Sequence, residues 1–171
     1  VDYHTYRHGT PAAYNHPNMV GDMVDVLATY LPTHIFVTSE FDVHADHTTS
    51  YQILQEALTQ VIASHPTYNP TIHKTQVWMS SLVWPNALDA SAYFAEEPDL
   101  FARTGLVWAE RESLDVPPSM QLTMYGNNPK YMAVDYHTSQ EGAYQFLGRF
   151  IHKDEFFWTE QRTGSNAPPV P

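Results

Sequence analysis

The sequence predicts an α/β domain: a mostly parallel sheet flanked by helices. Three observations carry that reading. A helical apolar pattern over residues 20–31 stops at Pro32. A short β-branched and aromatic run, "HIFVTS" at 34–39, follows at once and suits a strand buried on both faces. Beyond a short loop, a second helical stripe begins at His47. Helix, buried strand, loop, helix is the order expected when crossover helices cover a parallel sheet.

Each element has its own warrant. Residues 1–19 hold Pro, Gly, Asn and three histidines, and read as an irregular opening segment. His4 and His8 stand four apart, which suits two ligands on a helix, but Gly9, Thr10 and Pro11 follow directly and argue against a stable helix there. In the first predicted helix, Val20, Met23, Val24, Leu27, Tyr30 and Leu31 share one face. In the second, Tyr51, Leu54, Leu58, Val61 and Ile62 form the stripe, and the helix ends before Pro66. Residues 71–84 read as another strand ended by Pro85, 85–100 as a long loop and 105–110 as a further strand. Asn128 and Pro129 make a helix start, a capping side chain followed by a proline in the first turn. That helix is expected to run through "KYMAVDYHTSQ" with a break, and a second amphipathic stretch to follow through Phe146, Leu147 and Phe150. The expected organisation is a single domain over 1–162 and an irregular tail over 163–171.

Composition narrows the function classes. The chain has 171 residues, enough for one domain with a sizeable core. It carries 8 Lys+Arg against 19 Asp+Glu, a formal charge of −11. Nucleic-acid binding wants clustered cations, so no nucleic-acid partner is expected. No run approaches the ~20 apolar residues of a membrane span. There is no cysteine, so a transition metal here must be held by histidine and carboxylate. The compartment stays open; an extracellular or periplasmic place is compatible with this composition. The 11 Tyr, 8 Phe and 4 Trp suit a cleft with aromatic walls, sugar stacking or subunit packing, and a homo-oligomer is one expectation.

The densest chemistry lies in "SEFDVHADHTTSY", residues 39–51. This loop sits at the carboxyl end of a predicted strand, where open α/β sheets bind their ligands. His44 and His47 are three apart at a helix start, so their side chains fall on neighbouring faces. Asp46 lies between them as an expected helix cap. Neutral imidazole is the usual protein ligand for zinc, and a catalytic zinc takes roughly three protein ligands and leaves one position for water. The metal brings that water's pKa towards ~7. A histidine beside it can hold a proton for a leaving group or stabilise an oxyanion. The competing reading is a capped helix whose loop holds two surface histidines.

These residues resemble the middle motif of the PIG-L/LmbE-like zinc-dependent N-deacetylases, which remove acetyl groups from N-acetylglucosamine units. The family's H-x-D-H stands here as His44-Ala45-Asp46-His47, with Ala45 where proline is common. A downstream K-x-x-A and H/Y-x-S-Q pattern is matched by Lys130, Ala133 and His137 to Gln140. "VWMSSLVWP" and "FIHKDEFFW" are similar to the segments expected around it. The resemblance implies a Rossmann-like fold, a Zn2+ cofactor and an N-acetylated amino-sugar substrate. It implies His47 as a zinc ligand. His44 would stabilise the tetrahedral intermediate or protonate the leaving amine, and Asp46 would orient a histidine. His137 and Gln140 would lie near the substrate. The chain departs from the family at its first motif, an H-P-D-D-type turn that supplies further zinc ligands and the aspartate base. "NHPNM" holds His16-Pro17, but Asn18 is no carboxylate. The sequence opens at Val1 with no signal peptide and reads as the C-terminal two-thirds or so of a family member, without the first βα unit. The alternative is a catalytically silent member or fragment that binds carbohydrate or serves in assembly.

Overall fold

The computed structural model describes residues 1–77, 106–121, 125–140, 151 and 154–163. The expected strand beyond 77, the loop at 85–100, the apolar stretch at 146–150 and the tail from 164 onward lie outside the described residues. Those described form an α/β structure with one four-stranded mixed sheet: β1 His34–Thr38, β2 Thr71–Thr75, β3 Glu112–Asp115 and β4 Asp154–Gln161, in the order β1-β2-β4-β3. Four α-helices accompany it: α1 Tyr3–His8, α2 His16–Tyr30, α3 Ala45–Ser64 and α4 Pro129–Asp135. Two compact units emerge. One comprises Val1–Glu40, His44–Lys74 and the segment from Thr159; the other comprises Phe41–Val43 and Thr75–Trp158. Among the described residues, no helix is long and apolar enough to cross a membrane.

The first unit is a helix pair on a βαβ crossover. The Asn15 side chain accepts from the backbone N–H of Asn18 at 3.1 Å, and Pro17 sits in the first turn, so α2 starts four residues before the apolar stripe. Leu31 ends it in the left-handed region at φ 42°, one residue before Pro32. The stripe of α3 is the predicted one. Leu54, Leu58, Val61 and Ile62 pack with Leu27 of α2 and Ile72 of β2 in one core, joined by Met23, Val24, Ile35 and Val37. Each such side chain contributes on the order of 1.5–3 kcal/mol by leaving water.

Strand β1 differs from the expectation of burial on both faces. Its exposure alternates, and Phe36 is 55% exposed. The strand is outermost in the sheet, and α3 packs against it, so Ile35 and Val37 face the core while His34 and Phe36 face out. Phe36 instead stacks on His73 of β2 with ring centroids 4.4 Å apart. The N–H of Thr71 donates to the carbonyl of Thr33 at 2.9 Å, which joins the starts of β1 and β2; the pair is parallel, as a 20-residue helical crossover requires. The end of β4 meets the start of β2 through Arg162 N–H to Pro70 O at 3.1 Å, so that pair is antiparallel. β3 and β4 are antiparallel as well, in register from Glu112 opposite Phe157 to Asp115 opposite Asp154. The sheet is therefore mixed, with one parallel pair among the described strands, rather than mostly parallel.

In the second unit the strand expected at 105–110 is replaced by a 3-10 turn over Trp108–Glu110, and the strand lies just beyond it at β3. The apolar letters of "GLVWAE" serve anchoring instead of pairing: Leu106 is buried, and the carbonyl of Val107 accepts from the indole N–H of Trp158 at 2.9 Å. Helix α4 starts as expected. Asn128 is buried, its Oδ1 accepts from Tyr131 N–H at 2.9 Å, and its Nδ2 donates to Met120 O at 3.0 Å. The expected break falls after Asp135, and a 3-10 turn takes up Thr138–Gln140.

Candidate functional site

The β1–α3 junction is shaped by a helix start of unusual chemistry. His44, not Asp46, is the N-cap of α3: its Nδ1 accepts from the backbone N–H of Asp46 at 3.2 Å, and its carbonyl accepts from His47 and Thr48 N–H at 3.0 and 3.1 Å. Asp46 therefore sits inside the first turn, where its negative charge favours the helix N-terminus, and its side chain is 90% exposed. The expectation of Asp46 as cap is corrected by two positions, because imidazole Nδ1 reaches the orphan N–H that a carboxylate would otherwise take. The Thr38 hydroxyl, at the end of β1, donates to the His47 carbonyl at 2.9 Å and ties the turn to the strand.

The rings of His44 and His47 lie 4.8 Å apart, tilted by 37°. His44 is about half exposed and His47 is half-buried with its Nδ1 in the interior. An accepting Nδ1 on His44 leaves the neutral ring's proton on Nε2. An Asp46 carboxylate oxygen stands 3.9 Å from that Nδ1, beyond hydrogen-bond reach. A catalytic zinc takes about three protein donors. Here two imidazoles converge, one with a nitrogen committed to the cap, while the carboxylate is splayed into solvent. These residues alone do not fill a catalytic zinc's coordination. His137 and Gln140 belong to the second unit: His137 is exposed after α4, its N–H donating to Val134 O at 3.0 Å, and Gln140 closes the 3-10 turn. Lys130, matched in the downstream pattern, pairs with the Glu155 carboxylate.

Among the described residues, the three-donor group lies elsewhere, at His4, His8 and Asp22. The opening segment is not irregular throughout: Tyr3–His8 form α1 and α2 begins at His16, with residues 9–15 irregular between them. Asp2 caps α1, its carboxylate accepting from Thr5 N–H at 2.8 Å and Thr5 Oγ1 at 2.8 Å, and Gly9 closes it at φ 75°. Gly9 thus marks the end of a helix, not its absence. One helical turn brings His4 and His8 onto one face, rings 4.5 Å apart. Asp25 of α2 then docks that helix. It accepts from Arg7 Nε and Nη2 at 2.7 and 2.9 Å and from the Tyr3 hydroxyl at 2.8 Å. The Arg7 fork, then the Tyr3 bond, hold the Asp25 carboxyl down to about 2. Asp22, one turn earlier on α2, is left facing the two imidazoles.

A second feature absent from the sequence reading is a polar network inside the first unit. Lys74 Nζ lies 2.7 Å from Glu40 and 3.0 Å from Glu160. Glu160 also accepts from Tyr51 Oη at 3.0 Å and Gln55 Nε2 at 2.8 Å, and Arg162 donates to Gln55 Oε1 and Thr59 Oγ1, both at 2.8 Å. Burial, then Glu40 and Glu160, push the Tyr51 hydroxyl far above the usual phenol range. Burial also pulls the Arg162 guanidinium down. Two cations against two carboxylates balance the charge, the condition under which buried ions are tolerated. The sequence signal was a lysine, Lys74, within a strand of β-formers and an arginine, Arg162, after another.

Comparison of the chain with protein-family models, with curated proteins and with solved structures finds no match.

Proposed function

We propose that the β1–α3 junction is part of a hydrolytic site of the zinc-dependent N-deacetylase type, in a Rossmann-like domain acting on an N-acetylated amino sugar. The observation that supports it is the pairing of the His44 and His47 rings, 4.8 Å apart, at the carboxyl end of β1, where α/β sheets bind ligands. The β1–α3–β2 crossover is the repeating unit of such a fold. Zinc, when bound, supplies an activated water and a Lewis acid. Its remaining donors and the carboxylate base have to come from residues outside this junction.

The capping geometry narrows the part that His44 plays. Donation to the leaving amine needs an imidazolium, and a protonated Nδ1 cannot accept the Asp46 N–H. The neutral ring keeps the cap and offers Nε2–H to a developing oxyanion. Loss of one such donor costs roughly 10²–10³ in kcat. His47 is the proposed ligand.

The test is acetate release from N-acetylglucosamine conjugates, read with zinc content. His47→Ala is expected to lower bound zinc and abolish release; His44→Ala is expected to keep the zinc and lose about 10²–10³ in kcat. The shortfall of donors at the junction favours a second reading, a silent carbohydrate-binding or assembly protein. Sugar binding without acetate release, and zinc content unchanged by His47→Ala, would establish that reading instead.

A further inference from the structure

We propose that His4 and His8 of α1 and Asp22 of α2 form a binding site for a divalent transition metal of the zinc type, separate from the β1–α3 junction. One candidate donor atom from each of the three lies within 4.8 Å of the others. Nδ1 of His4 is 2.7 Å from an Asp22 carboxylate oxygen, and Nε2 of His8 is 3.9 Å from the same oxygen. Donors around a tetrahedral ion at bond lengths of about 2.0–2.2 Å sit roughly 3.3 Å apart. The His4–Asp22 pair has to open slightly and His8 has to swing inward, movements within the reach of side-chain rotation.

The placement is set by other residues, so the donors do not have to hold the helices together themselves. Asp2 and Gly9 delimit α1, which fixes the spacing of His4 and His8. Arg7 and Tyr3 clamp α1 to Asp25, and the i, i+3 spacing on α2 then presents Asp22 to the same face. Arg7 adds no repulsion, since its charge is met by Asp25 in a two-point pair. His8 is half-exposed, so one side of the group opens to water, the fourth ligand. Two imidazoles and one carboxylate suit zinc, cobalt or nickel. Magnesium and calcium want oxygen donors. The plain alternative is a surface hydrogen bond between His4 and Asp22 with His8 as a bystander.

Zinc chloride titrated calorimetrically into the full chain separates the two. The His47→Ala variant, which lacks the proposed junction ligand, is expected still to bind one equivalent, which a further His8→Ala or Asp22→Asn weakens about 100-fold. His8→Ala removes a half-exposed side chain outside the core, and circular dichroism with an unchanged melting curve verifies the fold. Ring resonances of His4 and His8 are expected to shift with zinc and not with magnesium. In the His47→Ala background, zinc binding that is equally tight after His8→Ala, no zinc binding at all, or an equal response to magnesium would each overturn the proposal. Because His47→Ala is the control here, failure of the junction reading and failure of this one give different results.

Discussion

Two histidine pairs in one unit, at the α1–α2 contact and at the β1–α3 junction, differ in what surrounds them. His44 and His47 are three apart and spaced around a helix start; His4 and His8 are four apart within one turn. The first pair has an adjacent carboxylate in sequence, yet Asp46 points outward and a ring nitrogen is consumed by the cap. The second pair has no acid between its members, yet a carboxylate arrives from a different helix 14 residues after His8, at Asp22. Adjacency in sequence packs donors into a motif; convergence of donor atoms depends on a second element docked at the right turn.

The largest effect expected to break this comparison comes from Asp25→Ala. It removes the Arg7 and Tyr3 clamps, frees α1 and weakens zinc at His4, His8 and Asp22 by about 10–100-fold while leaving the His44 cap intact. Zinc titration beside amide protection of residues 45–49 checks both halves. Unaltered zinc affinity would mean that α1 is positioned by something other than Asp25.

A smaller effect is expected from His44→Ala, which strips the cap of α3 and costs about 0.5–2 kcal/mol in denaturant unfolding. His44→Asn restores a side-chain acceptor and is expected to recover most of that loss without restoring the oxyanion donor. Equal stability of the three proteins would remove the cap from the account and reopen the acid role of His44.

The smallest effect is a pH dependence confined to α1. Asp25 is held below its ordinary 3.8, at about 2. A depressed carboxylate stabilises above its unfolded value and loses that contribution as pH falls through the folded one. The Arg7 Nε–H resonance is therefore expected to keep its docked shift down to pH ~3 and to move near 2. A midpoint near 4 would show an exposed, unclamped carboxylate.

Much of this architecture is legible in the letters. The stripe Leu54, Leu58, Val61, Ile62 has helical period because those residues share one core, and Asn128-Pro129 starts a helix for the capping reason read from sequence. Other features were hidden by competing physics. Gly9 reads as a breaker, but a glycine in the left-handed region is also how a helix closes, and Asp2 with its Thr5 bonds made six residues enough. "GLVWAE" looks like a strand, while the pairing fell to the more polar "ESLD", whose partner register no local pattern encodes. Burial of β1 on one face follows from α2 and α3 packing against Ile35 and Val37, a property of the tertiary arrangement. At the site, the closeness of His44 and His47 was readable from spacing; the meeting of Asp22 with His4 and His8 was not, since it needs the clamp at Asp25.

The most direct measurement is the position of the ion itself. Crystals of the full chain grown with zinc, with anomalous scattering recorded on both sides of the zinc edge, place each bound ion without reference to activity. The expected result is a peak about 2.0–2.2 Å from ring nitrogens of His4 and His8 and an oxygen of Asp22. An empty map there, with zinc found only beside His47 or nowhere, would contradict the account.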